Sequence, residues 1–378
     1  MTERNIQLIP INRFLTVVGL FTWLYIFPVY LKHLGATEFA VGLAYSFFNI
    51  GITMFQFPGG YLADIYKKKT LLLILQSLMP MIFICMGLVR SYKVLIALYF
   101  IYCVLASLNF PALSGLLANT SSKKNMGKAF SLFQAYFIMG FGLGPLLGYF
   151  LMSRGMPVAD LFFVTAVFSL LSFLITLFWV AEEQDIRPAV AERTWKVHLD
   201  TKLTGLFLAG SFFFILMQYT LFSPLPSIFM ADKLDYDELK INLIFAVGGF
   251  LAGVLSLSTG KYITEKSSPY FFFIAQVIHF TLIYLWVITG NAIMFVFGWM
   301  VIQLSMSSIH VMLAAASNKA NRGKVIGLFG TITGLVPAFV PLALLSLKDQ
   351  VGYSTLYLSV FPFIIVQYFI FRKYWKKS

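Results

Sequence analysis

Between two long apolar segments the chain reads Gly59-Gly60-Tyr61-Leu62-Ala63-Asp64-Ile65-Tyr66-Lys67-Lys68-Lys69. Three consecutive lysines cannot enter the hydrocarbon core of a bilayer without a large free-energy cost, so the apolar segments must stop on either side of them. The two glycines would allow helix ends to approach closely, because glycine has no side chain beyond hydrogen. This stretch therefore predicts a very short turn between two membrane helices.

The composition is that of a membrane protein. Of its 378 residues, 59% are hydrophobic and 11% are charged, whereas a soluble domain carries roughly 25% charged residues. The net charge of +13 would suggest a nucleic-acid partner if the bases were clustered on a soluble surface. They lie instead in short loops between apolar runs, which indicates contact with an anionic lipid bilayer and no nucleic-acid partner.

The apolar runs predict an all-α, polytopic membrane protein with twelve transmembrane helices. A helix needs about 20 apolar residues to cross a bilayer. The runs that meet this length are Asn12–Leu31, Phe39–Leu62, Thr70–Val89, Val94–Ala118, Ala129–Met152, Ala159–Ala181, Leu203–Met230, Ile241–Ile263, Pro269–Thr289, Ala292–Ser317, Val325–Leu347 and Ser354–Phe371. The longest polar segment, Glu182–Lys202, lies near the middle of the chain.

The distribution of basic residues predicts the orientation. If the N-terminus is placed inside the cell, the inner loops and termini hold 21 of the 28 Lys and Arg residues. Inner loops of membrane proteins carry an excess of Lys and Arg. We therefore expect a multi-pass protein of the cell membrane with both termini in the cytoplasm.

An internal repeat divides the chain into two parts. Met126-Gly127-Lys128 followed by Pro145 recurs as Arg322-Gly323-Lys324 followed by Pro341, at an offset of 196 residues. Repeats of this length in a polytopic protein predict two pseudo-symmetric bundles. We expect a six-helix bundle over residues 1–181, a cytoplasmic linker over 182–202 and a second six-helix bundle over 203–378.

The lysine-rich turn resembles the loop between helices 2 and 3 of the major facilitator superfamily of transporters. The residues that match the pattern of that loop are Gly60, Leu62, Ala63, Asp64, Lys68 and Lys69. Ile65 and Lys67 depart from it, at a usual base and a usual glycine. The resemblance implies two rocking bundles and a gating role for Asp64, which would brace the outward-open state near Gly323–Val325. The alternative is a solvated acid in a basic turn.

A second motif lies in the fifth run, where Gly140, Gly144 and Gly148 share one helical face and Pro145 frees a backbone carbonyl. A neighbouring helix could approach this face closely. The run resembles the glycine-proline motif of exporters in the same superfamily, although Tyr149 replaces its last glycine. The resemblance favours export over import, and the alternative is generic close packing of helices.

Polar side chains inside the runs are the candidates for substrate contact, because a polar group at membrane depth faces a partner or a wet cavity. By resemblance, helices 1, 4, 7 and 10 would line a central cavity. The predicted substrate-binding residues are Trp23, Asn109, Gln134, Gln218, Gln303 and His310. The alternative for each is interhelical hydrogen bonding without ligand contact, which we favour for His279 on the peripheral ninth helix.

The charged residues narrow the function further. Asp, Glu, Lys and Arg occur in the apolar runs only at their ends. Arg13 and Glu38 lie at such ends and would lie near the mouths of the central cavity. This pattern favours a neutral or amphipathic solute, and it leaves His310 as the candidate for a proton-coupling role. The four histidines lie apart from carboxylates and cysteines at metal-ligand spacing, so we expect no metal, no cofactor and no enzyme.

The sequence thus predicts a secondary transporter that moves a small molecule by alternating access, and multidrug-like export is the preferred interpretation. Uptake or facilitated diffusion of a neutral nutrient, such as a sugar or nucleoside, is the alternative. An intramembrane enzyme or a receptor is a remote one. By resemblance to the superfamily we expect a monomer.

Overall fold

The computed structural model describes residues 2–120, 126–181, 200–221, 223–259, 262–316 and 322–375, and the regular elements within these ranges are helices. In chain order they are α1 Thr2–Phe21, α2 Phe27–His33, α3 Glu38–Met54, α4 Gln56–Ile65, α5 Lys68–Leu88, α6 Tyr92–Thr120, α7 Met126–Met152, α8 Asp160–Phe178, α9 Thr201–Met217, α10 Leu225–Leu234, α11 Glu238–Thr259, α12 Ser268–Thr289, α13 Ala292–Ala316, α14 Arg322–Leu335, α15 Val340–Val351, α16 Tyr353–Leu358 and α17 Val360–Trp375. The predicted all-α class is confirmed.

Ten helical segments in the described ranges are long and apolar enough to cross a membrane. They correspond to the predicted runs other than the first and the seventh. In those two runs the helix is broken, between α1 and α2 and between α9 and α10. The first run therefore differs from its prediction as one span over Asn12–Leu31, because its helix begins at Thr2 and is interrupted after Phe21. The seventh run differs from its prediction as one span over Leu203–Met230, because its helix is interrupted after Met217.

The breaks in these two helices occur at equivalent positions of the internal repeat. α1 ends at Phe21 and α9 ends at Met217, which is the same offset of 196 residues. Pro28 and Pro224 near the second helical pieces are also 196 residues apart. Proline has no backbone N–H to donate, so a helix restarts at it more readily than it runs through it. The repeat thus extends to the position at which the first helix of each half breaks.

The described residues form two compact units. The first unit draws on Met1–Thr37, Ile50–Glu192 and Tyr236–Phe250, and the second on Glu38–Asn49, Arg193–Asp235 and Leu251–Ser378. Each unit therefore contains one segment from the other half of the sequence. The predicted division into residues 1–181 and 203–378 stays a prediction, because residues 182–199 of its linker lie outside the described ranges.

Each unit has its own packing. In the first, α1 packs against α7 and α8, α5 packs against α6 and α8, and α4 packs against α6. In the second, α12 packs against α13, and α9 packs against α14 and α17. Buried polar groups tie some of these pairs, as where the Gln367 side chain donates to the Ala209 carbonyl at 2.7 Å. Such interhelical bonds satisfy polar groups that lipid could not.

Candidate functional site

The lysine-rich turn is as short as expected. α4 ends at Ile65 and α5 begins at Lys68, and the following Lys69 lies in the first turn of α5. The close helix approach falls at Gly59 and not at Gly60. A methyl group on Gly59 would lie 2.8 Å from the Leu108 Cα atom, whereas one on Gly60 would have its nearest neighbour at 4.0 Å. Gly59 therefore lets α4 meet the backbone of α6.

The predicted partner of the turn stays a prediction. Asp64 lies in the last turn of α4, but its side chain lies outside the described part of the structure. The same holds for Gly323 and Lys324, and Gly260 of the second repeat also falls outside the described ranges. The gating role of Asp64 is therefore untested by these contacts.

The glycine face of the fifth run meets α1. A methyl group on Gly144 would lie 2.6 Å from the Phe21 Cβ atom, at the point where α1 ends. Gly140 faces Val17, and Gly148 faces the Thr22 carbonyl. Pro145 is buried within an unbroken α7. We call this contact of α7 with α1 the glycine seam.

The break after α1 is also held by α11. The Asn242 side chain donates to the Thr22 carbonyl at 2.9 Å, which lies in the non-helical turn between α1 and α2. Tyr25 of the same turn stacks on Phe245, with ring centroids 3.9 Å apart and an interplanar angle of 8°. The break is therefore a defined structure with its own polar and aromatic partners, located beside the glycine seam.

Trp23 lies within this turn and is fully buried. Its indole N–H donates to the Thr165 hydroxyl at 3.0 Å, and that hydroxyl lies 2.7 Å from the Gly19 carbonyl, to which it donates. The ring packs edge-on against Phe162 at 4.9 Å. These contacts fix the broken helix, and substrate contact by Trp23 stays a prediction.

Asn109 belongs to a buried polar network that the sequence reading missed. Asn12 donates to the Thr176 hydroxyl at 2.8 Å, Thr176 donates to Gln76 at 2.7 Å, and Gln76 donates to the Asn109 side-chain oxygen at 3.2 Å. The network joins α1, α5, α6 and α8 in the first unit. Its signal in the sequence is the presence of Asn12 and Gln76 in apolar surroundings.

Arg13 follows Asn12 on α1 and faces other neighbours. Its guanidinium carbon lies 4.7 Å from the ring centre of Phe110, 4.4 Å from that of Phe133 and 4.0 Å from that of Phe137. We call these four residues the Arg13 cage. The expectation that no base lies beyond the end of a run is wrong here, because α1 begins at Thr2 and Arg13 occupies the middle of this helix. Gln134, next to Phe133, is exposed.

The remaining predicted residues lie in the second unit. Gln218 is buried and forms a reciprocal amide pair with Asn49, at 3.4 and 3.5 Å. Gln303 is buried on α13. His310 is exposed, and its Nδ1 lies 2.7 Å from the Met306 carbonyl. Within either unit, no described hydrogen bond joins two of the six predicted substrate residues.

His279 is fully buried in the second unit. Its Nδ1 lies 2.7 Å from the Gly298 carbonyl of α13 and its Nε2 lies 3.1 Å from the Thr220 hydroxyl, in the break after α9. Both ring nitrogens therefore bridge helices, as the packing interpretation of this residue requires.

A buried cation lies at Lys348 of α15, whose side chain is 6% exposed. Its ammonium nitrogen lies 2.9 Å from Asp349, 3.3 Å from Glu38 and 3.9 Å from Asp232. The Tyr353 ring centre is 5.7 Å away. We call these five residues the Lys348 cluster. It joins the start of α3, the end of α10, α15 and the start of α16.

A family model agrees with this architecture. The model of the Major Facilitator Superfamily matches residues 11–341, which is most of the chain and both repeats. The chain belongs to the major facilitator superfamily. It is therefore a multi-pass membrane transporter and not an enzyme.

Curated relatives and solved structures also resemble the chain. The quinolone resistance protein NorA of Staphylococcus aureus is 26% identical over 283 residues, which cover 71% of this chain and 68% of NorA. A POT family transporter solved with a thioalcohol-conjugated peptide superposes with a TM-score of 0.79 at 13% identity, over 99% of this chain and 96% of that one. The nucleoside transporter NupG gives a TM-score of 0.72 at 14% identity, over 98% of this chain and 99% of that one. The two structures share the fold.

Proposed function

We propose that this superfamily member is a secondary exporter of small amphipathic molecules that works by alternating access. The observation that carries the direction is the relationship to NorA, which is named for resistance to quinolones. The glycine seam supports the same direction, since it is built from the motif that resembles exporters. Because the seam lies where α1 breaks, a movement at this break would displace α7 directly.

The Lys348 cluster supplies a device that would close one mouth of the transport path. Glu38 belongs to the first sequence half and Lys348 to the second, and their charged groups lie 3.3 Å apart. A movement of α3 away from α15 must break this ion pair. On the predicted topology both termini lie in the cytoplasm and the Lys348 cluster is extracellular. We expect the protein to work in the cell membrane as a monomer.

Asp64 would act at the opposite mouth, as its resemblance to the superfamily loop implies. We expect Asp64→Asn to insert at wild-type levels and to lose at least tenfold in transport rate, because the amide keeps the shape and removes the charge. Unchanged transport by this variant would remove Asp64 from the gating machinery.

Proton coupling at His310 is the finer part of the proposal. The imidazole lies on α13 and is exposed. We expect His310→Gln to abolish the response of export to an imposed pH gradient while leaving downhill movement of substrate intact. A full response in this variant would place coupling elsewhere.

The experiment that tests export compares ethidium accumulation in cells that lack their own exporters, with and without the protein. The variants are Gly144→Ala, whose methyl group would lie 2.6 Å from the Phe21 Cβ atom, and Gly330→Ala, whose methyl group would have no described atom within 4 Å. Both replace a helical glycine by the same residue, so helix propensity changes equally. Membrane levels of each variant are measured alongside.

We expect wild type and Gly330→Ala to lower accumulation and Gly144→Ala to fail. Equal accumulation with and without the wild-type protein would contradict export of this class. It would favour uptake or facilitated diffusion of a neutral nutrient. Full activity of Gly144→Ala would show that the glycine seam tolerates a wider contact and is not part of the transport movement.

A further inference from the structure

In the Arg13 cage, the described contacts of the guanidinium are with aromatic rings. Three phenylalanines from α6 and α7 lie 4.0–4.7 Å from the guanidinium carbon, within the range in which an aromatic face attracts a cation. The rings come from two helices that both contact α1. The position of Arg13 is therefore specified by the fold and is not that of a loose surface side chain.

One hydrogen-bond donor of Arg13 is buried without a described partner. A guanidinium carries five N–H donors in one plane. Its Nε atom is buried and has no hydrogen-bond partner among the described residues, and no described carboxylate lies within ion-pair distance of the side chain. A buried donor without an acceptor costs roughly 1–3 kcal/mol, and more when it is charged. An acceptor that is not part of the described chain would remove this cost.

The surroundings define what kind of acceptor fits. Phe133, Phe137 and Phe141 recur every four residues on α7 and so share one face of the helix. The Phe137 and Phe141 rings touch edge-on at 4.7 Å, and both side chains are half-buried. The cation therefore lies beside a partly open aromatic stripe, which suits a molecule with one charged end and an apolar body.

We propose that Arg13 is the anion-binding group of the substrate site and that the site takes amphipathic aromatic carboxylates. The carboxylate would pair with the planar edge of the guanidinium, because the N–H donors lie along that edge. The aromatic body would lie along Phe137 and Phe141. This inference rests on the proposed function, because it names the substrate class that the exporter recognises.

Binding to the purified full-length protein tests this pairing without reference to the direction of transport. The probes are naphthoate, which is an aromatic carboxylate, and naphthamide, which has the same shape without the charge. The variants are Arg13→Gln and Arg13→Lys. The matched control is Arg154→Gln, because Arg154 also lies over a phenylalanine, 4.0 Å from the Phe150 ring centre, but is exposed.

We expect wild type and Arg154→Gln to bind naphthoate at least tenfold more tightly than naphthamide. Arg13→Gln should lose this preference, with naphthamide binding unchanged. Arg13→Lys should retain part of it, because an ammonium keeps the charge and lacks the two-pronged geometry. If Arg13→Gln does not fold, the lysine variant alone decides, since equal preference in it and wild type would contradict a role for the guanidinium edge.

Other outcomes overturn the inference. Equal binding of the two probes by wild type would remove the anion site. Equal losses for both probes in Arg13→Gln would assign Arg13 to packing alone. Failure of the proposed function is distinguishable, because ethidium export and naphthoate binding are measured separately. Ethidium export without naphthoate binding refutes the anion site and leaves the exporter, whereas naphthoate binding without ethidium export refutes export of ethidium and leaves the anion site.

Discussion

Arg13 is a half-buried cation and Lys348 is a buried one, and their described neighbours are of opposite kinds. Lys348 is surrounded by three carboxylates from α3, α10 and α15. Arg13 is surrounded by three phenylalanine rings and has no described carboxylate partner. A buried charge that the fold neutralises contributes to structure, whereas one that the fold leaves without an acceptor is available to a ligand. The difference separates a structural ion cluster from a candidate binding group.

The largest expected effect comes from removing each charge by the same substitution. Lys348→Gln should lower the free energy of unfolding by about 3 kcal/mol, because it leaves neighbouring carboxylates without their cation. Arg13→Gln should lower it by less than about 1 kcal/mol, since it removes cation–π contacts and no ion pair. Thermal melting of the two purified variants measures the difference, and equal destabilisation would contradict the comparison.

A double-mutant cycle sharpens the account of Lys348. Glu38 is 24% exposed, so its pairing with Lys348 is only partly screened by water. We expect a coupling free energy of about 1 kcal/mol between Glu38→Gln and Lys348→Gln. In the double variant the loss should therefore be smaller than the two single losses added together. Simple additivity would mean that the ion pair does not hold α3 to α15.

The aromatic part of the Arg13 cage should have a smaller effect. Phe137 has the ring closest to the guanidinium, at 4.0 Å. Phe137→Ala should weaken naphthoate binding about threefold, which corresponds to one cation–π contact. Phe150→Ala, which removes the ring beneath the exposed Arg154, is the control and should bind as wild type. A loss as large as that of Arg13→Gln would mean that the ring, and not the cation, recognises the ligand.

The smallest effect is expected at the periphery of the Lys348 cluster. The Asp349 side chain is 74% exposed although its oxygen lies 2.9 Å from the lysine nitrogen. Exposed ion pairs contribute little because water solvates both partners. Asp349→Asn should therefore change the free energy of unfolding by less than about 0.5 kcal/mol. A change as large as that of Glu38→Gln would mean that Asp349 pairs with Lys348 as strongly as Glu38 does.

The sequence predicted the helical class, the repeat and the short turn before Lys68 because these depend on local hydropathy and spacing. It did not reveal the break after Phe21, since Thr22 to Ile26 are mostly apolar and read as continuous helix. The signal was present in Pro28 and Pro224, which share the offset of the repeat.

The two cations show why the candidate site was harder to predict. Arg13 was placed at the end of the run Asn12–Leu31, yet α1 begins ten residues earlier, at Thr2. Lys348 directly follows the predicted run Val325–Leu347, and its partner Glu38 lies 310 residues away in the sequence. Local patterns carry no information about such pairings, and only the fold brings these groups together.

The most direct test of the distinction is the thermal stabilisation that saturating naphthoate gives to wild type, Arg13→Gln and Lys348→Gln. A ligand that binds only the folded state raises the melting temperature in proportion to its binding free energy. We expect Lys348→Gln to melt lower than wild type and still gain the full ligand-induced shift. Arg13→Gln should melt near wild type and gain little or none of it. A full shift in Arg13→Gln, or its loss in Lys348→Gln alone, would contradict the assignment of Arg13 to the ligand and Lys348 to the fold.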